Sequence, residues 1–287
     1  MLKTLLSYLS YIARALLVLA IDLASFTFIY RIYFSLSHWE NRAELLFILL
    51  LLSYLILLFS VLSTYKSLWR VALRNLFPKD QSKFGWLCLG ALLALAFYLT
   101  RLMLTFPFGE MEWYPFGVVK AYNHFSPLCL VILITYSFVG SLTEEVVYRG
   151  YVQSELMGSF GLGFALITTS TIFMARHVKL FAPLPDLDLL LFFLLFGVFV
   201  GFLFYETGSL YAPTSFHVCF NLINILIPVD IIVSHSLHLV DYLVTPASWV
   251  LLLFFFFLLM KTKTFEGETK TQKCIAIEKV LISQRSD

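Results

Sequence analysis

Three charged residues at the end of an apolar run are the first candidates for chemistry in this sequence. Glu144, Glu145 and Arg149 follow a stretch of otherwise hydrophobic side chains. A charged side chain at the centre of a bilayer costs about 2.5–3.5 kcal/mol on insertion scales. Other interactions must offset the insertion cost of three such side chains. A functional site would explain why the sequence contains them.

Helix geometry divides these charges into a pair and a single acid. Glu145 and Arg149 are four residues apart, so on a helix they share a face and can form a structural ion pair. Glu144 is rotated by about 100° from Glu145 and faces elsewhere. The ion pair therefore leaves Glu144 without a partner, and a lone buried carboxylate is a candidate general base.

A histidine in the next apolar segment is a candidate partner for Glu144. A single intramembrane histidine such as His177 is more often a packing residue, but its spacing from Glu144 is informative. The glycine-rich stretch 158–163 predicts a turn, and the midpoint between positions 144 and 177 falls inside it. An antiparallel helix pair would place both residues at one depth, each roughly 25 Å from the turn.

A third polar pair lies in a later apolar segment. His217 and Asn221 are four residues apart and share a helix face. Taken alone, they are explained equally well as hydrogen-bonding groups between helices. Together with Glu144 and His177, they form a set of catalytic residue types in three apolar segments. This combination favours one functional site over three unrelated packing roles.

Other arrangements are weaker. His235, His238 and Asp241 could bind a metal on a helix, but we expect them in a solvated loop between two spans. No HExxH motif, which a zinc protease helix requires, is present in the sequence.

The composition is that of a polytopic membrane protein. The chain has 287 residues, of which 60% are hydrophobic and 13% charged, whereas soluble domains are about a quarter charged. The formal net charge of +2, without a basic tract, excludes nucleic acid as an expected partner. The lipid bilayer is the expected environment.

Apolar stretches of about 20 residues, the length that crosses a bilayer, predict an all-α bundle of eight spans. We expect them at 5–30, 45–65, 84–104, 121–144, 160–177, 189–205, 209–228 and 242–260. The aromatic segment 106–127 is expected to be an exoplasmic interfacial loop. We divide the chain into N-terminal spans at 1–120, a catalytic core at 121–260 and a polar tail at 261–287.

Basic residues predict the orientation. The segment 66–83 contains five Lys or Arg residues, and the tail from Lys261 contains six. By the positive-inside rule both are cytoplasmic, and so are both termini of an eight-span chain. The short loops favour a prokaryotic cytoplasmic membrane.

The ordered motifs resemble those of one family. Glu-Glu-x-x-x-Arg, Phe-x-x-x-His and His-x-x-x-Asn resemble the CPBP intramembrane proteases, which include CAAX prenyl endopeptidases and the bacterial Abi proteins linked to bacteriocin processing and immunity. The matching residues are Glu144, Glu145 and Arg149; Phe173 and His177; His217 and Asn221. The resemblance covers residues 126–228.

The resemblance implies an eight-span endopeptidase that hydrolyses a membrane-associated peptide or membrane-protein substrate. It implies that Glu144 and His177 deprotonate the attacking water, that His217 and Asn221 stabilise the oxyanion, and that Arg149 holds Glu145. Zinc bound by glutamate and histidine is one version of the mechanism. We favour the metal-free version, without a cofactor, because Asn221 is a poor zinc ligand and a good hydrogen-bond donor.

Two other functions use the same residues. A transporter could use intramembrane glutamate and histidine as a proton or ion path, and a non-catalytic family member could serve as an immunity or binding protein. Against transport, the polar residues concentrate in one cluster and no series of acids crosses the membrane.

Overall fold

The computed structural model describes residues 83–113, 127–177, 187–226, 229–233 and 238–260, together with isolated positions between 20 and 59. Seven α-helices, a π-helical segment, a short 3-10 turn and two strands form this part of the chain. In order they are α1 (Lys83–Thr105), the 3-10 turn (Phe106–Phe108), β1 (Gly109–Trp113), α2 (Pro127–Glu144), the π-helical segment (Glu145–Gln153), α3 (Ser154–Phe160), α4 (Leu162–His177), α5 (Leu187–Thr207), α6 (Tyr211–Leu226), β2 (Val229–Val233) and α7 (His238–Met260).

Three of these helices are long and apolar enough to cross a membrane. They are Lys83–Thr105, Leu189–Thr207 and Leu243–Met260, with mean hydropathies of 2.0, 2.4 and 2.3. Helices also occupy the other predicted spans from residue 127 onward, but α4 and α6 have only 16 residues each. The first two predicted spans lie outside the described residues except for isolated positions, so the number of eight stays a prediction.

An aromatic core holds the long helices together. Its buried rings include Trp86, Phe97, Phe199, Phe216 and Phe256, which lie on α1, α5, α6 and α7. The outward faces of the same helices are also apolar, and Met103 and Phe254 are 74% and 61% exposed. An apolar exterior around an apolar core is what a lipid environment favours, because lipid imposes no cost on exposed hydrocarbon.

The α1 and α6 backbones approach each other closely at Gly90. A Cβ atom added at Gly90 would lie 2.3 Å from the Ala212 carbonyl oxygen. Only a glycine therefore allows the two backbones to approach this closely, as is common between membrane helices.

The predicted helical hairpin is confirmed. The helix that begins as α2 continues without a break through the π-helical segment and α3 and ends at Gly161. Gly161 has a φ of 83°, a left-handed conformation that glycine adopts at little cost. The next helix, α4, then runs back and ends at His177.

The predicted helical fold class is confirmed, and a short two-stranded ribbon, which the sequence did not predict, accompanies the helices. β1 and β2 pair antiparallel, with Gly109 opposite Val233 and Trp113 opposite Val229. The backbone groups that follow α1 and α6 need hydrogen-bond partners, and the β-branched residues of β2 favour a strand. The aromatic segment after α1, expected to be a loop, is therefore partly strand, while residues 114–126 lie outside the described part.

The segment around the weaker metal candidate also differs from the expectation. α7 begins at His238, so His238 and Asp241 are helical instead of lying in a loop. His235 lies outside the described residues.

Candidate active site

Three helices bring a carboxylate and two histidines together. Oε2 of Glu144, at the end of α2, lies 3.8 Å from Nε2 of His177 in α4 and 3.8 Å from Nε2 of His217 in α6. The hairpin geometry predicted from the sequence placed Glu144 and His177 side by side, and this proximity is confirmed. One carboxylate oxygen therefore faces two imidazole nitrogens across a gap slightly longer than a hydrogen bond.

The other oxygen of Glu144 has two partners that the sequence did not indicate. Arg176 of α4 forms a buried ion pair with Oε1, and the Tyr54 hydroxyl donates a hydrogen bond to the same oxygen. The expectation that Glu144 is a single acid without a charged partner is wrong. An arginine satisfies it from the neighbouring helix, because a buried carboxylate is costly without a cation.

His177 is fixed in orientation by its own helix and by two aromatic rings. Its Nδ1 lies 2.8 Å from the Phe173 carbonyl oxygen, which can only accept, so Nδ1 carries a proton and donates. Its ring packs against those of Phe173 and Phe193, with centroids 4.3 and 4.5 Å away. Nε2 is therefore the nitrogen available to accept a proton, and it faces Glu144.

His217 is held through Glu145. Its Nδ1 lies 2.8 Å from Oε1 of Glu145, which accepts the Nδ1 proton as long as the carboxylate is ionised. Nε2 is directed at Glu144 as a result. Glu145 thus contacts a site histidine as well as the predicted partner on its own helix.

The predicted ion pair within the motif is confirmed and is part of a larger contact set. Arg149 Nη1 donates to Oε1 of Glu145 at 3.3 Å, and Nη2 donates to the Gly197 carbonyl oxygen at 3.3 Å. The guanidinium also lies over the Phe173 ring, 4.7 Å from its centroid. Arg149 therefore connects Glu145 to both α4 and α5.

The π-helical segment lets adjacent acids serve one site. It begins at Glu145, and a π-helix has more residues per turn than an α-helix, so successive side chains are rotated by less than 100°. Glu144 and Glu145 both reach His217. Segments of this kind occur frequently at functional sites.

Asn221 lies on the same wall but contacts a different residue. It lines the cavity with the acids and histidines, and its Nδ2 donates to the Ser141 hydroxyl at 3.0 Å. An amide nitrogen has two hydrogens, so one remains for a substrate.

The site lines a cavity of about 520 Å³ with a largely aromatic wall. Glu144 and His217 are buried at one end, whereas Arg101, Leu189 and Asn224 are exposed at the other. The ring-bearing residues of the wall are Tyr54, Tyr136, Phe173, Phe192, Phe193, Phe196 and Phe220.

Sequence reasoning missed Arg176, Tyr54 and Ser141 as site residues. Arg176 could have been predicted as a site residue, because it is a further charged residue in an apolar helix and is adjacent to His177. No sequence feature indicates Tyr54, since it lies in an apolar segment far from the motifs and only the fold brings it to Glu144.

The residues present do not favour a zinc centre. Within the described ranges, no group of three or more His, Cys, Asp or Glu side chains is arranged to hold a metal ion. The Arg176 guanidinium also contacts Glu144 directly, and a divalent cation on that carboxylate would be repelled by it.

A bundle of apolar helices that encloses a buried site of acids and histidines is a membrane protein with the residues of a hydrolase. Residues 126–223 match the family model described as type II CAAX prenyl endopeptidase, Rce1-like. This segment is therefore similar to the CAAX prenyl endopeptidases, and all of the motif residues lie within it. No curated protein and no solved structure matches the chain.

Proposed function

We propose that this protein is an intramembrane endopeptidase that hydrolyses a peptide bond with a water activated by Glu144 and His177. The observation that carries the proposal is the convergence of two imidazole Nε2 atoms on Oε2 of Glu144, each at 3.8 Å. Separations beyond 3.5 Å between polar groups are typical of a bridging water. No described residue hydrogen-bonds to this buried oxygen, which suits a group that acts on water.

In the proposed reaction, the water oxygen attacks the carbonyl carbon of the scissile bond. Its proton passes to Glu144 or to Nε2 of His177, and the negative charge moves to the carbonyl oxygen. The same proton is then delivered to the leaving nitrogen as the carbon–nitrogen bond breaks. The products are a carboxylate and an amine, and no other reactant is required.

The oxyanion would be stabilised from α6. Asn221 retains one amide hydrogen for it, and His217 donates from Nε2 when both of its ring nitrogens are protonated. Donors held in place before the reaction act strongly in a water-poor cavity. The contacts of these side chains with Ser141 and Glu145 provide that positioning.

Arg176 and Tyr54 are proposed as positioning residues. Both bind Oε1 of Glu144, so Oε2 faces the histidines. Arg149 acts one step further away, since it holds Glu145, which holds His217.

The mechanism is proposed to be metal-free, because the Arg176 guanidinium already compensates the charge of Glu144 and would repel a divalent cation bound to the same carboxylate. Transport is not favoured: the described polar residues gather at one cavity instead of forming a path. We retain the catalytic core at 121–260, the polar tail at 261–287 and a prokaryotic cytoplasmic membrane with cytoplasmic termini as proposals.

The direct test is a cleavage assay on purified full-length protein with a peptide library, run with and without a chelator. We expect cleavage that the chelator does not change, and a loss of about 10²–10⁴-fold in kcat for His177→Ala. Phe164→Ala is the control on the same helix, because Phe164 lies on the outer face of α4 and is not among the residues that line the cavity. Activity lost with the chelator and restored by zinc would overturn the metal-free mechanism.

A further inference from the structure

The cavity has one exposed end, and the positions of its lining residues identify which end of the helices that is. Arg101 lies four residues before the end of α1 at Thr105, and Asn224 lies two before the end of α6 at Leu226. Leu189 lies two residues after the start of α5 at Leu187. All three are exposed, whereas Glu144 and His217 are only 3% and 5% exposed. The cavity therefore opens where α1 and α6 end and α5 begins.

The β-ribbon marks this side of the molecule. β1 follows the C-terminal end of α1 through the 3-10 turn, and β2 follows the C-terminal end of α6. The two strands are hydrogen-bonded to each other from Gly109–Val233 to Trp113–Val229, so the two helix ends lie on one side. We call it the ribbon side, and the cavity opens there.

In the sequence, the basic residues concentrate next to the opposite ends of these helices. α1 begins at Lys83, directly after Lys66, Arg70, Arg74 and Lys79, and α7 ends at Met260, directly before the tail with six Lys or Arg residues. The connecting segments of the ribbon side, 106–126, 178–186 and 227–237, contain only Lys120 and Lys179. By the positive-inside rule, the ribbon side is exoplasmic.

We propose that substrates enter this cavity from the exoplasmic side of the membrane. The substrate class is then an apolar peptide segment that has been exported or exposed at the outer leaflet, such as the exoplasmic end of a membrane-anchored peptide. A prenylated C-terminus, the kind of substrate that the name of the matched family indicates, would meet the buried end of the cavity if it were presented from the cytoplasm. This inference rests on the proposed peptidase function.

The first measurement establishes the orientation. Glu110→Cys in β1 and Gly163→Cys at the opposite end of α4 are each introduced after alanine replaces the four native cysteines. A Cβ at Gly163 meets no other atom within 4 Å, so that change is tolerated. In intact spheroplasts, a membrane-impermeant maleimide should label the ribbon cysteine and should label the other one only after permeabilisation. The reverse pattern would overturn the inference.

The second measurement uses the unmodified protein in sealed vesicles. A lipid-anchored fluorogenic peptide library is added to the outside of right-side-out vesicles and, separately, of inverted vesicles. We expect cleavage at least tenfold faster in the right-side-out vesicles, with the difference abolished by detergent. Faster cleavage in inverted vesicles would overturn the exoplasmic entry and leave the peptidase function standing. No cleavage in either preparation, or in detergent, would overturn the peptidase function itself.

Discussion

At the residue scale, the two carboxylate oxygens of Glu144 have different partners. Oε1 is bound by Arg176 and Tyr54, and Oε2 faces His177 and His217. A carboxylate that only formed a structural ion pair would not need its second oxygen directed into a cavity. The arrangement separates the atoms that hold the carboxylate from the atom that would react.

Arg176→Gln is predicted to lower both activity and stability. Removing one partner of a buried ion pair costs about 3–5 kcal/mol, because the other charge stays buried. We expect kcat to fall by more than tenfold while KM changes little, since Arg176 holds Glu144 and not the substrate. Steady-state kinetics and thermal unfolding in detergent measure the two effects.

Two further variants separate positioning from folding. Arg176→Lys keeps a cation and should restore part of kcat. The double variant Glu144→Gln with Arg176→Gln should unfold at a higher temperature than Arg176→Gln alone, because no uncompensated charge remains. If Arg176→Gln has wild-type kcat, Arg176 does not position the base.

Asn221→Ala is predicted to lower kcat by about 10²–10³-fold, the usual effect of losing an oxyanion donor. Ser141→Ala removes only the group that accepts a hydrogen bond from Asn221. We therefore expect a smaller loss for Ser141→Ala, measured on the same peptide. Equal kcat values for Asn221→Ala and the wild type would assign Asn221 to helix packing instead.

How much of the site the sequence predicts depends on how local each contact is. The Glu145–Arg149 pair follows from one helix turn, and the Glu144–His177 proximity follows from two helices and a glycine turn. The contacts of His217 with Glu145 and of Tyr54 with Glu144 depend on the packing of helices that are distant in sequence. Residue spacing along the chain does not predict such packing. Arg176 is an intermediate case. The sequence shows a charged residue in an apolar helix, but it does not show that the side chain contacts Glu144.

At the element scale, the site depends on helices that approach closely. α6 carries His217 and Asn221, and it packs against α1 at Gly90, where the distance to the Ala212 carbonyl leaves no room for a side chain. A shift of α6 along or away from α1 would move both residues relative to Glu144. The α1–α6 contact therefore sets the width of the cavity.

A matched pair of glycine substitutions tests this contact. Gly90→Ala is predicted to destabilise the protein by about 1–3 kcal/mol through overpacking and to lower kcat as α6 shifts. Gly163→Ala adds a methyl group into open space on α4 and should be neutral or stabilising, because alanine favours a helix by about 1 kcal/mol over glycine. Thermal unfolding and activity of both variants are compared. Equal stability of the two would mean that α1 and α6 do not pack as described.

The two strands are the elements that hydrophobic patterning in the sequence did not predict. Within the described residues from 83 onward, the apolar runs predicted α1, α2 and α4 to α7, since length and composition suffice for that. The ribbon between β1 and β2 pairs segments more than 100 residues apart and depends on the bundle bringing two helix ends to one side.

At the scale of the whole molecule, the proposed catalytic residues Glu144 and His217 lie at the buried end of a cavity with aromatic walls, inside a bundle with an apolar exterior. Such a site excludes most bulk water, which strengthens the electrostatic interactions within it. An extended apolar peptide fits these walls better than a folded domain does. The side on which the cavity opens then decides which peptides reach the site.

The measurement that tests the account most directly is the turnover of Glu144→Gln on one peptide that the wild-type enzyme cleaves. Glutamine keeps the size and hydrogen-bonding capacity of the side chain but cannot accept the water proton as a carboxylate does. We predict that kcat falls by at least 10²-fold, while Glu155→Gln, on α3 and away from the cavity, cleaves at the wild-type rate. A Glu144→Gln enzyme that folds, inserts and turns over at the wild-type rate would contradict the account.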